Sequence, residues 1–282
     1  MKHSRQRKVL VTGARGQLAG TMIDGFAGTA EVLAYTRTQL DIADFDAVMA
    51  RVATDRPDVI INCAAYNNVD RAEDDPREAL SVNAFAVRVL ARAAREHGAI
   101  LVHYSTDFVF DGTAAEPYRE GDAPNPKSVY GQSKLLGEWF ALEAPNAFVL
   151  RVESLFGGTA AKSSIDRIIE AITMGREVRV FRDRTVSPSY VVDVCTATKA
   201  LVERGEPGLY HCAGTGYGTW FELAQEIAIL MGKQGEARLQ PVSVAEVSLR
   251  AARPKFAALA SDKLRAIVEM PTWQDALRRY LA

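Results

Sequence analysis

Tyr130 and Lys134 stand four residues apart in Ser128-Val-Tyr-Gly-Gln-Ser-Lys-Leu-Leu-Gly-Glu138, a spacing that on a helix sends both side chains from one face toward one ligand. A free tyrosine holds its proton to about pH 10. A neighbouring ammonium favours the phenolate and brings proton exchange with a substrate oxygen closer to neutrality. Tyr130 is therefore a candidate general acid. Alone the pair is a weak signal, because a rim tyrosine beside a solvated lysine is the commoner origin of this spacing. Ser105-Thr106-Asp107 changes the weighing. It follows the apolar run Ile100-Leu-Val-His-Tyr104 and so falls at the carboxyl end of a strand, the edge of a parallel sheet where ligands sit. Thr106 is placed to donate a hydrogen bond to the carbonyl oxygen that Tyr130 protonates, with a turn or helix cap as its other reading. Asp107 is placed to accept from substrate hydroxyls, or to shape a turn. Asn83 lies on the interior stripe of its helix, either orienting a water near Lys134 or satisfying backbone groups.

Gly13, Gly16 and Ala19 form a Gly-x-x-Gly-x-x-Ala run, in which glycine allows the tight turn and lets backbone N–H groups approach a pyrophosphate at a helix N-terminus. The run directly follows the first apolar strand, the context that turns a common glycine turn into a dinucleotide signal. An NAD-selecting fold places Asp or Glu at the end of the second strand. Here Thr36 is followed by Arg37, and Arg15 adds a cation inside the glycine loop. NADP(H) is the preferred cofactor, with NAD(H) as the alternative; both arginines would otherwise be simply solvated.

These residues need a frame that aims them at one edge. Apolar runs at residues 8–12, 31–35, 58–63, 100–104 and 148–151 read as strands. Helical stripes occur at 44–56 and 76–97, the latter with Pro76 near its start and Gly98 past its end, and a further helix lies within 125–143. The alternation predicts an α/β fold, a Rossmann-type doubly wound parallel sheet with a smaller interleaved substrate domain. Residues 1–154 form the dinucleotide-binding domain in this reading. Residues 155–282 are mainly the substrate-binding region, with segments near 190–213 returning to the first domain. Helices are expected at 163–174, 191–204 and 220–231, and short strands at 178–181 and 209–212. The loop 111–125 is the longest connection without predicted structure, and such loops often serve active sites.

Lys plus Arg (34) nearly balance Asp plus Glu (35), so no basic field exists to condense on nucleic acid. No stretch approaches the ~18 apolar residues of a membrane span. The basic start, Met1-Lys-His-Ser-Arg-Gln-Arg-Lys8, precedes too short an apolar run for a signal peptide, so a cytoplasmic protein is expected. Cys63, Cys195 and Cys212 are scattered, and His3, His97, His103 and His211 form no ligand pair, so no catalytic metal is assigned.

In order along the chain, these blocks resemble the extended short-chain dehydrogenase/reductases, and within them the dTDP-4-dehydrorhamnose reductase type. Val11-Thr-Gly-Ala-Arg-Gly-Gln-Leu18 is similar to that family's cofactor loop, which brings Gln17 and Leu18 into the cofactor set. Leu40-Asp-Ile-Ala-Asp44 resembles the segment whose Asp41 and Ile42 touch adenine. Asn62-Cys-Ala-Ala-Tyr66, followed by Val69-Asp-Arg-Ala-Glu73, resembles the wall beside the nicotinamide ribose and contributes Ala64, Ala65 and Tyr66. Tyr104-Ser-Thr-Asp-Phe-Val-Phe-Asp-Gly112 and Tyr130-Gly-Gln-Ser-Lys-Leu-Leu-Gly-Glu138 match its catalytic segments, with Tyr104 on the cofactor side. Ser187-Pro-Ser-Tyr190, Gly208-Leu-Tyr-His211 and Arg253-Pro254 resemble its substrate-region blocks.

The resemblance implies reduction of the 4-keto group of a nucleotide-linked 6-deoxy sugar. Tyr130 would be proton donor, Lys134 would bind the nicotinamide ribose and lower the tyrosine pKa, Thr106 would polarise the ketone, and Asp107 would contact the sugar. A homodimer is the assembly considered. Phe108 stands where the related sugar dehydratases carry Glu, which argues against elimination chemistry. Two departures fall on the substrate side. Arg151-Val-Glu-Ser154 replaces the family's Arg-Thr-Ser-Trp, removing an aromatic that packs on the sugar, and Ser248-Leu-Arg-Ala-Ala-Arg-Pro254 replaces its Pro-Thr-Pro-Ala motif before Arg-Pro. Two other readings stay open: a reductase of a different carbonyl, and a non-catalytic NADP-binding regulatory subunit, a use this fold has in methionine adenosyltransferase.

Overall fold

A computed structural model describes residues 6–159 and 162–282; residues 1–5, with most of the basic start and His3, lie outside the described residues. In chain order the elements are β1 (Lys8–Thr12), α1 (Gln17–Phe26), β2 (Glu31–Tyr35), α2 (Phe45–Asp55), β3 (Val59–Asn62), α3 (Val69–Asp74), α4 (Pro76–Leu80), α5 (Ala86–His97), β4 (Ile100–Thr106), α6 (Val129–Ala141) and β5 (Ala147–Val152). There follow α7 (Ser164–Thr173), β6 (Val178–Phe181), β7 (Thr185–Val186), α8 (Val191–Arg204), β8 (Gly208–His211), β9 (Gly218–Thr219), α9 (Trp220–Leu230), β10 (Leu239–Val242), α10 (Asp262–Arg265) and α11 (Trp273–Leu281).

Side chains of the central strands alternate between two apolar layers. Val9, Val11, Ile61 and Val102 pack with residues of α1 and α8, whereas Leu10, Ile60, Leu101 and Val149 pack with residues of α2, α5 and α6. Covering both faces is what continuous apolar strands require. The six strands run parallel in the order β2-β1-β3-β4-β5-β8, the Rossmann-type doubly wound arrangement. The chain lays β2 on one side of β1 and β3 on the other, so a crevice opens at their carboxyl ends, where ligands of such sheets bind.

A third apolar cluster joins α7, α9 and α11 to the small β6–β10 sheet through Ile165, Ile168, Val180, Leu223, Ile227 and Leu277. Capping boxes start two of these helices, Ser163 with Asp166 on α7 and Thr219 with Glu222 on α9, satisfying end N–H groups that packing leaves open. Within the same half of the chain, α8 packs on α1 and β8 pairs with β5.

The helix expected over 76–97 is interrupted by a π-turn at Ser81–Phe85. The wider turn presents Asn83 to a neighbouring strand-end loop. Its Oδ1 accepts from Tyr66 N at 2.8 Å, and its Nδ2 donates to Tyr66 O at 3.0 Å and Ser133 Oγ at 3.0 Å. Of its two readings, the structure shows the satisfaction of backbone groups. No helix among the described residues is long and apolar enough to cross a membrane.

Candidate active site

β1 runs into Gly13 at φ +68°, where a Cβ would come within 2.9 Å of the Ala64 backbone. Only glycine lets the first strand turn this close to the third. Gly16 N donates to Gly13 O at 2.8 Å, closing the turn, and Gly16 caps α1 without a side-chain acceptor. The first amides of α1 therefore face the crevice, as an anion site requires.

Two adjoining cavities line this crevice. One, of 220 Å³, is walled by Gly13, Gly16, Arg37, Asp41, Ile42, Ala64, Ala65 and Tyr66. The other, of 410 Å³, shares Gly16, Ala64 and Ala65 and adds Gln17, Leu18, Tyr104, Thr106, Asp107, Tyr130 and Lys134. The fold thus brings together every expected site residue except Arg15, which is exposed and lines neither cavity. A glycine turn, a helix start and two confluent cavities fit an extended dinucleotide. Arg37 faces Asp41 at 3.2 Å and Glu78 at 3.6 Å on the surface, where such pairs are weak and exchange readily for a phosphate. Gln17 Nε2 donates to Gly157 O at 2.7 Å, tying the loop after β5 to the glycine loop.

α6 starts at Ser128, whose side chain accepts from Gly131 N at 3.1 Å, while Val129 N donates to Glu73 of α3 at 2.8 Å. Gly131 lets the helix lie against the segment after β4, since a Cβ there would sit 2.3 Å from Phe108 O. Tyr130 packs on the edge of Phe108 with ring centroids 5.5 Å apart. Lys134 Nζ donates to Tyr104 O at 2.5 Å, and burial lowers its pKa to about 8 against the pull of Glu138. The Tyr104 hydroxyl lies in the core, 2.7 Å from Thr198 Oγ1.

Burial first, then the negative charge of Asp107, push the Tyr130 phenol above its ordinary value, against a hydrogen bond with Thr106. Tyr130 is a firmly protonated hydroxyl, the form a proton donor needs. Thr106 Oγ1 donates to Asp107 Oδ1 at 2.9 Å and accepts from Phe108 N at 3.2 Å, so it caps the turn while lining the cavity. Burial raises Asp107 to about 6, opposed by Arg184 and Thr106.

Behind the cavity lies an ion pair that the sequence did not announce. Arg151 donates through Nε to Glu138 Oε1 at 2.8 Å and through its second nitrogen to Oε2 at 2.7 Å, and Ser105 Oγ donates to Oε1 at 2.5 Å. Both charged side chains are 2% exposed. The pair links α6, four residues past Lys134, to β4 beside Thr106 and to β5.

The substrate side is walled by residues distant in sequence: Ser154, Arg184, Trp220 and Arg253. Arg184 and Arg253 lie over the Phe108 ring at 5.5 and 5.8 Å. Arg253 is anchored to Asp70 at 2.6 Å, and Ala251 N also donates to Asp70, which draws the segment before Pro254 onto α3. Trp220 brings an indole to a wall where Ser154 offers none. Loop 111–125 lines neither cavity. It is pinned by Tyr118, whose hydroxyl accepts from Gly112 N and Thr113 N and donates to Asp111, and whose ring stacks on Phe110 at 4.0 Å.

Residues 7–282 match the family model described as RmlD substrate binding domain. A dTDP-4-dehydrorhamnose reductase of Mycobacterium tuberculosis is 36% identical over 99% of this chain and 93% of its own length. A dTDP-4-keto-6-deoxy-D-glucose reductase of Streptomyces niveus is 34% identical over 95% and 94%. The crystal structure of a dTDP-4-dehydrorhamnose reductase from Bacillus anthracis in complex with NADP superposes with a TM-score of 0.93, at 33% identity and 98% coverage of both chains.

Proposed function

Since the chain belongs to the RmlD substrate binding domain family, we propose that it is an oxidoreductase that uses NADP(H), with NAD(H) as a poorer substitute, to reduce the 4-keto group of a nucleotide-linked 6-deoxy sugar. dTDP-4-dehydrorhamnose is the first substrate to test. The observation that carries this reading is the convergence of Thr106, Tyr130 and Lys134 on one cavity that is continuous with the glycine-loop crevice. NADPH, when bound, supplies the hydride.

Gly13, Gly16 and the first turn of α1 would hold the pyrophosphate, Asp41 and Ile42 would flank the adenosine end, and Arg37 would meet the 2′-phosphate. Lys134 orients the nicotinamide ribose through the N–H groups not spent on Tyr104 O. Thr106 turns its hydroxyl from Asp107 toward the ketone oxygen, and Asp107 accepts a hydrogen bond from a ring hydroxyl. Tyr130 gives its phenolic proton to the oxygen as the carbonyl carbon is reduced, and recovers one from solvent afterwards. The product is the 4-hydroxy sugar nucleotide.

The test is oxidation of NADPH, followed beside NADH, with a panel of nucleotide-linked 4-keto sugars. Turnover with NADPH and a 6-deoxy member is the expected result. Complete inactivity together with tight NADPH binding would move the chain to the regulatory-subunit reading. Turnover should also depend on pH in a defined sense. Asp107 is a charged acceptor only when ionised, above about 6, and the stronger hydrogen bonds of the charged form are lost below it, while Lys134 carries its charge only below about 8. kcat/KM for the sugar is therefore expected to fall on both sides of that window. A profile flat through both limbs would remove these two groups from the rate-determining chemistry.

A further inference from the structure

Among the described residues, several buried side-chain atoms without a hydrogen-bond partner belong to residues at one wall of the larger cavity or linked to it. Asp107 Oδ2, Glu153 Oε1, Arg184 Nε, Ser187 Oγ and Trp220 Nε1 are all in this state. They form one patch. Glu153 Oε2 accepts from Ser187 N at 2.7 Å, Ser189 N donates to Glu153 O at 3.1 Å, and Trp220 N donates to Arg184 O at 3.1 Å. Buried polar atoms are normally satisfied; Asp107, Arg184 and Trp220 line the cavity, where a polar ligand can meet them, whereas Glu153 and Ser187 do not line it.

The charges on this patch do not balance if every group is ionised. Asp107 and Glu153 are 4% and 1% exposed and bring two negative charges, whereas Arg184 brings one positive charge. The nearby Arg253 is committed to Asp70, and Tyr130, on the far side of Asp107, is a neutral phenol. An uncompensated buried carboxylate is strongly disfavoured and takes up a proton instead. Asp107 lines the cavity and Glu153 does not, so Glu153 is the carboxyl with less access to water.

Resting on the function proposed above, we infer that Glu153 is a positioning residue that acts as a neutral carboxylic acid. Its one proton serves Asp107, which leaves Asp107 and Arg184 as a single acceptor–donor pair facing the hydroxyls of the sugar. The electrostatics agree: burial and then the charge of Asp107 push Glu153 well above the ordinary carboxylate range, against the pull of the Ser187 amide and Arg184.

Two variants and one spectrum test this. Glu153→Gln keeps a neutral donor of the same shape, so KM for the nucleotide sugar is expected within about twofold of wild type. Glu153→Ala leaves Ser187 N–H and Arg184 unsupported, and KM is expected to rise about tenfold, the loss of roughly one hydrogen bond to a charged group, with kcat and the Kd for NADPH little changed. The infrared difference spectrum of wild type minus Glu153→Gln is expected to contain the carbonyl stretch of a protonated carboxylic acid at neutral pH, a readout independent of turnover. If Gln damages KM as much as Ala, or the acid band is missing, or Ala weakens NADPH binding equally, the inference is overturned. A wild type that shows the band but turns over no keto sugar would overturn the proposed reaction and leave the protonated Glu153 standing.

Discussion

Tyr130→Phe is expected to lower kcat by about 10²- to 10⁴-fold, the range for loss of a positioned general acid, while leaving the Kd for NADPH within about twofold. The substitution removes one oxygen and keeps the ring that packs on the edge of Phe108. The cap of α6 at Ser128 is untouched, so Lys134 and the helix keep their places. Tyr130 is 8% exposed, so most of its ring is held by packing and only its cavity-facing part changes. Its proton is held more tightly than in free tyrosine, so donation depends on basicity developing at the ketone oxygen as hydride arrives. Steady-state NADPH oxidation gives the first quantity and fluorescence titration the second. A fall of less than tenfold would mean that the proton comes from elsewhere.

The second large effect concerns stability. Glu138→Ala is expected to cost about 3–5 kcal/mol of unfolding free energy, because it strands the Arg151 guanidinium in a buried site. Arg151 spends two N–H groups on Glu138 and lies over Phe110 at 4.9 Å, with His211 beside it at 3.4 Å. His211 cannot compensate: burial, then Arg151 itself, depress it to about 3, so it stays neutral. Ser105 loses its acceptor as well, and Thr106 is its chain neighbour, so surviving folded protein should also turn over more slowly. Urea denaturation with NADPH absent measures the first effect. Replacing both partners by methionine should recover most of the loss, since removing a buried pair together is far cheaper than breaking it. A single-variant loss of about 1 kcal/mol or less, the scale of a surface pair, would show that the site is wetter than its geometry implies.

Arg15 and Arg184 show what adjacency in sequence records and what it does not. Arg15 sits inside the glycine loop, so adjacency in sequence placed it at the cofactor, yet its side chain is exposed and lines neither cavity. The turn that brings Gly13 against Ala64 directs the intervening side chains outward. Arg184 lies in a segment without any motif and reaches the cavity only because the chain after β6 folds back beneath Phe108. Asn83 could be assigned to an interior face by periodicity, but its partners required the π-turn, which no periodicity announces. Glu138 and Arg151 were each visible as letters of separate segments; their pairing was not, because contact across β5 and α6 is a matter of sheet order.

The sequence by itself determined the elements and the chemistry. Continuous apolar runs and helical stripes set β1 to β5 and the helices α2, α5 and α6; α8 and β6 fall where the patterns put them, and the glycine loop, Thr106, Tyr130 and Lys134 follow from local spacing. These depend on contacts within a few residues, which sequence order records directly. Only the tertiary structure decided how the pieces share charge. The tighter hold of Tyr130 on its proton, the unpartnered atoms of Asp107, Glu153 and Arg184, and the anchoring of Arg253 on Asp70 all arise between residues tens of positions apart. Burial and Coulomb forces act through space, and the distances they act over are set by packing.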